Sequence, residues 1–380
     1  MDRYSEILEK LKAHGNFRRI PEEAPATERL IDLSSNDYLG LASRQDLQER
    51  FFAEAGAKGL PPMTSSASRL LSGRQREYDS LETLLSQLYG RPCLLFNSGY
   101  HANTGMMQAL AEGRTLIVAD RLVHASIIDG ITLSKARFTR FRHNDCGHLE
   151  KILAKESGDY ERVLIVVESV YSMDGDRADI DALVDLKRRY PNALLYVDEA
   201  HAFGVEGPRG LGLALGSKDF SGVDVVMGTF GKACASFGAF CAVSPLLRDY
   251  LVNRTRSLIF STSLPPMSVV WTQFMIETFL DMDREREHLR ALGERLQGWL
   301  QPLSPHFPIV PSHIQPLVTG SAERAVSLSH QLREEGFKVL PIRTPTVPPG
   351  TERLRISLSA AISPEEIDRL GETITKLIMK

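Results

Sequence analysis

The stretch VDVVMGTFGKACASFGAFCAV, residues 223–243, decides how the rest of the chain is read. Val223 to Met227 is short, apolar and β-branched, and predicts a strand. Gly228-Thr229-Phe230-Gly231 predicts a turn, and Lys232 follows at once. Phe237 to Val243 predicts a second apolar strand. A lysine in such a place reads two ways. It can reach solvent past the two glycines, as strand-end lysines do. Alternatively it sits among small apolar groups, where burial disfavours the ammonium and leaves a nucleophilic amine, the requirement for a lysine that condenses with a carbonyl.

Working outward, residues 45–275 alternate between helical and strand patterns. Strands are expected at 92–96, 115–119, 138–141, 162–167 and 193–197, and helices at 78–89, 101–110, from about His124, up to about Lys155 and at 180–190. Several strands are apolar on both faces, which is the pattern of a parallel sheet covered by helices. The fold class is therefore α/β, with a large domain at 45–275. Residues 1–44 form an N-terminal arm that begins with an amphipathic helix bearing Tyr4, Ile7, Leu8 and Leu11. After Pro265-Pro266, residues 276–380 predict a smaller α+β domain. It has a long, interrupted helical stretch over 269–300, strands at 314–318, 337–341 and 353–358, and helices at 325–335 and 364–379. The 380 residues carry a net charge of -3, with no overall basic footprint for nucleic acid. No apolar run approaches the roughly 20 residues that span a bilayer. The four cysteines form no CxxC pair, and the chain reads as a reduced, cytoplasmic protein.

Four constellations carry chemistry. In ALLYVDEAH (193–201) an apolar strand ends in Asp198, with His201 three residues on. Ligands of open α/β sheets sit at the carboxyl ends of strands, which puts Asp198 in front of one. Read as a DEAH box, the same letters need a phosphate loop. The nearest match, around Lys232, has Val226 for the first glycine and Ala233 for Ser/Thr, and it follows the acidic motif instead of preceding it. Next, Ser98-Gly99-Tyr100 lies between a strand and a helix, a place for a phosphate or a plain turn. Thr229 is three residues before Lys232 and offers a hydroxyl to the same anion. Third, ADRLVHAS (119–126) brings His124, and YSMDGD (171–176) brings Ser172, each just past a strand end. Fourth, Arg353 and Arg355 fall on one face of a strand. They are either a carboxylate fork or two charges on a solvated edge. His143, Cys146 and His148 match no strong metal pattern and predict a polar loop capping a helix. There is no G-x-S-x-G elbow for a serine hydrolase.

Taken together, SGYHAN, ADRLVHAS, YSMDGD, VDEAH, GTFGK, FSTSLPP (260–266) and RLRISLSA (353–360) resemble the α-oxoamine synthase family of fold-type I pyridoxal-phosphate enzymes, over nearly the whole chain. SSNDYLGL (34–41), HND (143–145), IQPLV (314–318) and IRTPTVPPGTERLR (342–355) are most similar to the member that condenses L-alanine with a pimeloyl thioester, carried on coenzyme A or on a carrier protein. Sister members join glycine or serine to other acyl thioesters. The resemblance implies pyridoxal 5′-phosphate as cofactor and a homodimer with the active site at its interface. It implies Lys232 as the covalent anchor and α-proton carrier, Asp198 on the ring nitrogen, His124 on the ring face, and His201 with Ser172 at the ring hydroxyl. Ser98, Gly99, Tyr100 and Thr229 would hold the phosphate, joined by Thr262 of the neighbouring subunit. Asn36 and Arg355 would take the amino-acid carboxylate, with Thr346 also on the substrate side. Arg18 and Arg19 are candidates for the distal carboxylate of the acyl chain.

Overall fold

The structure, a computed structural model, describes residues 2–13, 15–18, 20, 30–72 and 75–379. The chain divides into two compact units. The larger comprises Leu39–Tyr171 and Arg177–Arg286; the smaller comprises Met1–Tyr38, Ser172–Asp176 and Glu287–Lys380.

The larger unit is built on a seven-stranded sheet. Its strands are β1 (Cys93–Phe96), β2 (Thr115–Asp120), β3 (Arg137–Phe141), β4 (Arg162–Glu168), β5 (Ala193–Asp198), β6 (Val225–Thr229) and β7 (Ala239–Val243), in the order β1-β7-β6-β5-β4-β2-β3. All neighbours are parallel except β7, which runs antiparallel to both β1 and β6. Every residue of β1, β2, β6 and β7 is buried, as expected where helices cover both faces. Two helices, α1 (Gly99–Leu110) and α2 (Ala125–Ser134), pack together on one face over Ile117, Ala119, Leu164, Val166 and Tyr196.

Two details of the decisive stretch differ from expectation. β6 runs on through Gly228 and Thr229, residues that the sequence pattern assigns to a turn. A Cβ at Gly228 would overlap the Phe240 ring on β7, so this glycine serves close strand approach. The turn proper is the loop from Phe230 to Gly238, closed by Phe230 N–H to Gly238 O (2.9 Å) and Ser236 N–H to Phe230 O (2.9 Å). A helix at Gln45–Lys58 escapes the periodicity reading, because only Leu47, Phe51 and Ala55 face inward.

In the smaller unit, β8 (Ile314–Val318), β9 (Leu340–Ile342) and β10 (Arg353–Ser357) form an antiparallel sheet in the order β9-β10-β8. Ile31–Asp32 pairs in parallel with Phe337–Lys338. The single strand expected at 337–341 is thus two short pieces in two sheets. The interrupted helical stretch resolves into Pro266–Phe279 and Asp283–Leu300. The final helix, Pro364–Ile378, opens with a capping box in which Ser363 and Glu366 satisfy each other's backbone N–H. The first helix, Arg3–Ala13, forms as expected, yet Tyr4, Ile7, Leu8 and Leu11 are exposed. Among the described residues no helix is long and apolar enough to cross a membrane.

Candidate active site

Four strand ends of the larger unit bring their side chains to the carboxyl edge of the sheet. Asp198 is the last residue of β5, Lys232 lies three beyond β6, His124 four beyond β2, and Ser98-Gly99 two beyond β1. Lys232 Nζ is 2.8 Å from His201 Nε2, so one of the two nitrogens donates to the other. His201 is buried.

Asp198 is 2% exposed, and its partners are neutral. Asn103 Nδ2 donates to Oδ2 (2.8 Å), and the Ala200 N–H donates to Oδ1 (2.9 Å). Among the described residues no cation pairs with it. Asn103 is the hub of this end of the sheet. It also donates to Ser126 Oγ (2.9 Å) and accepts from the Tyr196 hydroxyl (2.6 Å). Ser126 Oγ lies 2.7 Å from His124 Nδ1, and its N–H donates to that nitrogen, so His124 caps α2 with its own ring. Crowding by protein lowers the His124 pKa below the usual histidine value; Asp198 opposes the shift and Lys232 adds to it. Asn103 stands in the SGYHAN motif, yet the sequence pattern assigns it no role. A buried amide five residues into an apolar helix is the signal that could have found it.

Glu168 ends β4 directly beside Asp198 in the ladder. Burial, then the charge of Asp198, pushes its pKa well up, while Lys232 and the His124 N–H it accepts pull the other way. Glu199, the second acid of the DEAH letters, does not face a ligand. Its carboxyl takes the N–H groups of Ala214 (2.6 Å) and Leu213 (3.1 Å) and the Ser169 hydroxyl, and so anchors a loop. Burial pushes its pKa up to about 7 against those bonds. The unfolded chain releases this proton near the ordinary value, roughly 4.3. Stability from the protonated form is therefore complete below about pH 4.5 and is lost as pH rises to about 7, by on the order of 3 kcal/mol. Urea midpoints of the apo protein between pH 5 and 8 should decline over that window, and Glu199→Gln should flatten the decline.

The phosphate candidates also converge. Gly99 and Tyr100 open α1, where N–H groups lack intrahelical partners. A Cβ at Gly99 would lie 3.6 Å from Thr229 Oγ1, so that hydroxyl stands over the same helix terminus. Ser98 caps α1, accepting the His101 N–H (3.2 Å). The Tyr100 hydroxyl turns to Asp129 (2.6 Å). Thr262 bridges to Ser68, and its carbonyl accepts from Asn97 Nδ2 (2.6 Å), next to Ser98. A carboxylate that no cation pairs with among the described residues, a lysine beside a histidine, and a helix terminus under a hydroxyl could answer the three polar ends of pyridoxal phosphate: ring nitrogen, aldehyde and phosphate.

In the smaller unit Arg355 is 5% exposed and has no anionic partner among the described residues. Its guanidinium donates to the Ser172 carbonyl (2.6 Å), Ser357 Oγ (2.6 Å), Asn36 Oδ1 (3.0 Å) and the Tyr38 hydroxyl (3.3 Å). Burial pushes the Tyr38 pKa up to about 12, with Arg355 opposing. Arg353 instead pairs with Asp174. The reading of a solvated edge strand is overturned: β10 is the middle strand, and both arginines are buried. Thr346 is exposed and accepts from Arg18 Nη2 (3.2 Å); Arg19 lies outside the described residues. His143 and His148 serve structure: His143 meets the buried Asp120 (2.9 Å), and His148 accepts the Arg142 N–H (2.9 Å) in a helix capped by Asp145. Among the described residues no cluster could hold a metal ion.

The family model for aminotransferase class I and II matches residues 28–374. A Pasteurella multocida (strain Pm70) protein provisionally named 8-amino-7-oxononanoate synthase is 48% identical over an alignment of 385 positions that covers 98% of this chain and 98% of its own. The 8-amino-7-oxononanoate synthase of Chlorobaculum parvum (strain DSM 263 / NCIMB 8327) is 47% identical over an alignment of 381 positions that covers 97% of either chain. Among solved structures, a serine palmitoyltransferase variant from S. paucimobilis with bound PLP–myriocin aldimine aligns with a TM-score of 0.88 at 27% identity, over 100% of this chain and 98% of that one.

Proposed function

The chain belongs to the aminotransferase class I and II family, as a fold-type I pyridoxal-phosphate transferase, and from that premise we propose that it condenses L-alanine with a pimeloyl thioester. The products are 8-amino-7-oxononanoate, CO2 and the free thiol carrier. Relatives of that name at 47–48% identity over nearly the full length support the reading. The observation that carries it is a pair of isolated charges. Among the described residues Asp198 is a buried carboxylate that no cation pairs with, and Arg355 is a buried guanidinium that no anion pairs with. Each is costly to leave alone, by several kcal/mol. A protonated pyridine nitrogen answers the first, and an amino-acid carboxylate answers the second.

Pyridoxal phosphate, when bound, supplies an aldehyde that joins to amines and a ring that takes up the electron pair left at Cα. The chain's residues do the rest. Asp198 keeps the proton on the ring nitrogen, and Asn103 and the Ala200 N–H hold the carboxylate for that task. His124 covers one ring face, with its tilt set by Ser126. Gly99 and Tyr100 N–H groups, Ser98 and the Thr229 hydroxyl hold the phosphate. Lys232 removes the α-proton of alanine and later returns one, with His201 at 2.8 Å to take or give it. His201 and Ser172 also serve the ring hydroxyl. Arg355 and Asn36 hold the carboxylate, and Thr346 also serves the substrate. The working unit is a homodimer, in which Thr262 reaches the partner's phosphate site.

The test is product formation. Purified protein loaded with pyridoxal phosphate, given L-alanine and pimeloyl-CoA, should yield 8-amino-7-oxononanoate by mass spectrometry. Faster turnover of glycine or serine would overturn the choice of amino acid, and no product with any of the three would overturn the reading. Arg355→Lys should raise the KM for L-alanine about 100-fold, because a point charge cannot replace the fork. Steady-state kinetics checks this.

A further inference from the structure

The two edges of the large sheet are unlike. β1 is buried throughout, whereas β3 exposes Arg137, Phe138 and Arg140 and has one neighbouring strand among the described residues. Residues 135–142, KARFTRFR, hold four cations and no acid in a chain of net charge -3. Arg142 is tied to Asp145. Arg121, at the end of β2, and Lys135, Arg137 and Arg140 are exposed and pair with no carboxylate among the described residues.

Charges on an edge strand ordinarily guard against aggregation. That role does not call for apolar groups beside them, yet Leu133 (58% exposed) and Phe138 (41%) stand there. Phe138 and Arg140 pair with Ile117 and Ala119, so they share the sheet face that α2 covers, the helix whose last turn carries Leu133. The edge thus carries Phe138 and Arg140 on the helix-covered face, Arg137 on the other face, and one backbone side with no strand partner among the described residues. That is the make-up of a protein-docking surface, and its charge selects an acidic partner. Nucleic acid fits less well, because the rest of the chain supplies no basic field.

Resting on the condensation reading, we propose that β3 docks an acidic protein that carries the acyl thioester. Arg121 and Arg140 stand at the carboxyl edge of the sheet, the same edge as Asp198. β3 lies three strand spacings from β5, about 14 Å. A pantetheine arm has the backbone length of about five extended residues, roughly 17 Å, and spans that distance.

The test uses the double variant Arg137→Glu/Arg140→Glu of the holoenzyme with two donors, pimeloyl-CoA and pimeloyl acyl carrier protein. The KM for the carrier-bound donor should rise at least tenfold, while kcat and KM for the CoA donor stay within twofold of wild type. Arg137→Lys/Arg140→Lys should restore the carrier value. Equal KM values in wild type and the charge-reversed variant, or equal losses with both donors, would overturn the docking surface. If wild type turns over neither donor, the condensation reading fails, and the surface is still decided by fluorescence anisotropy of labelled apo acyl carrier protein. Binding that is lost in the charge-reversed variant supports the surface. No binding to wild type, or tighter binding of a single-stranded 20-nucleotide DNA than of the carrier, overturns it.

Discussion

Lys232→Ala is expected to lower turnover by about four orders of magnitude or more, the loss of a nucleophile and a proton carrier together. The variant should also lose the visible absorbance that a lysine-bound pyridoxal gives. The fold should hold. Lys232 lies in the loop from Phe230 to Gly238, which is closed by backbone hydrogen bonds that do not involve the side chain. Its amine meets His201, itself a buried side chain with a polar end, so truncation removes one hydrogen-bond partner from that ring. That should cost about 1–3 kcal/mol, too little to unfold a domain of this size. Absorption spectra with and without L-alanine, read beside a thermal melt, separate the two effects. A folded variant that retained condensation near the wild-type rate would take the reaction away from this residue.

Asp198→Asn is expected to lower the rate of α-proton exchange in L-alanine about a thousandfold. An opposite charge near a basic nitrogen moves its pKa by roughly 1–3 units in favour of the protonated form. Without that charge the ring nitrogen loses its proton at neutral pH and no longer draws electrons from Cα. The same substitution should leave the apo protein as stable as wild type, or more so. It removes a buried carboxylate that has only Asn103 and the Ala200 N–H to answer it. Deuterium exchange into alanine gives the first quantity and urea unfolding of apo protein the second. Slow exchange combined with a severely destabilised fold would instead mark Asp198 as a structural residue.

The features legible in the residues are those that follow from strand ends. An apolar run stopping at Asp198, another stopping before Lys232, and a helix starting after His124 all place side chains at one sheet edge by a rule that needs no packing. What the residues hide depends on partners distant in the chain. Asn103 looks like a polar residue in a helix until Asp198, Ser126 and Tyr196 are set around it. Gly228 looks like a turn former until Phe240 arrives from the next strand. Arg353 and Arg355 look like edge charges because alternation tells which face a residue takes, not whether a strand has one neighbour or two. Glu199, adjacent to Asp198, turns to a loop instead of a ligand, and one position along a chain is enough to reverse a side chain.

Arg355 is solvated from within by a carbonyl, two hydroxyls and an amide oxygen, none of which carries a full charge. A cell is full of primary amines, polyamines among them, that would condense with any accessible pyridoxal. Those lacking an acid group next to the amine would leave the proposed carboxylate site at Arg355 unanswered, and would gain nothing from it. On the proposed function, selection among amines would be made by a deficit in the protein, and a metabolite would enter the reaction only by bringing the missing charge with it.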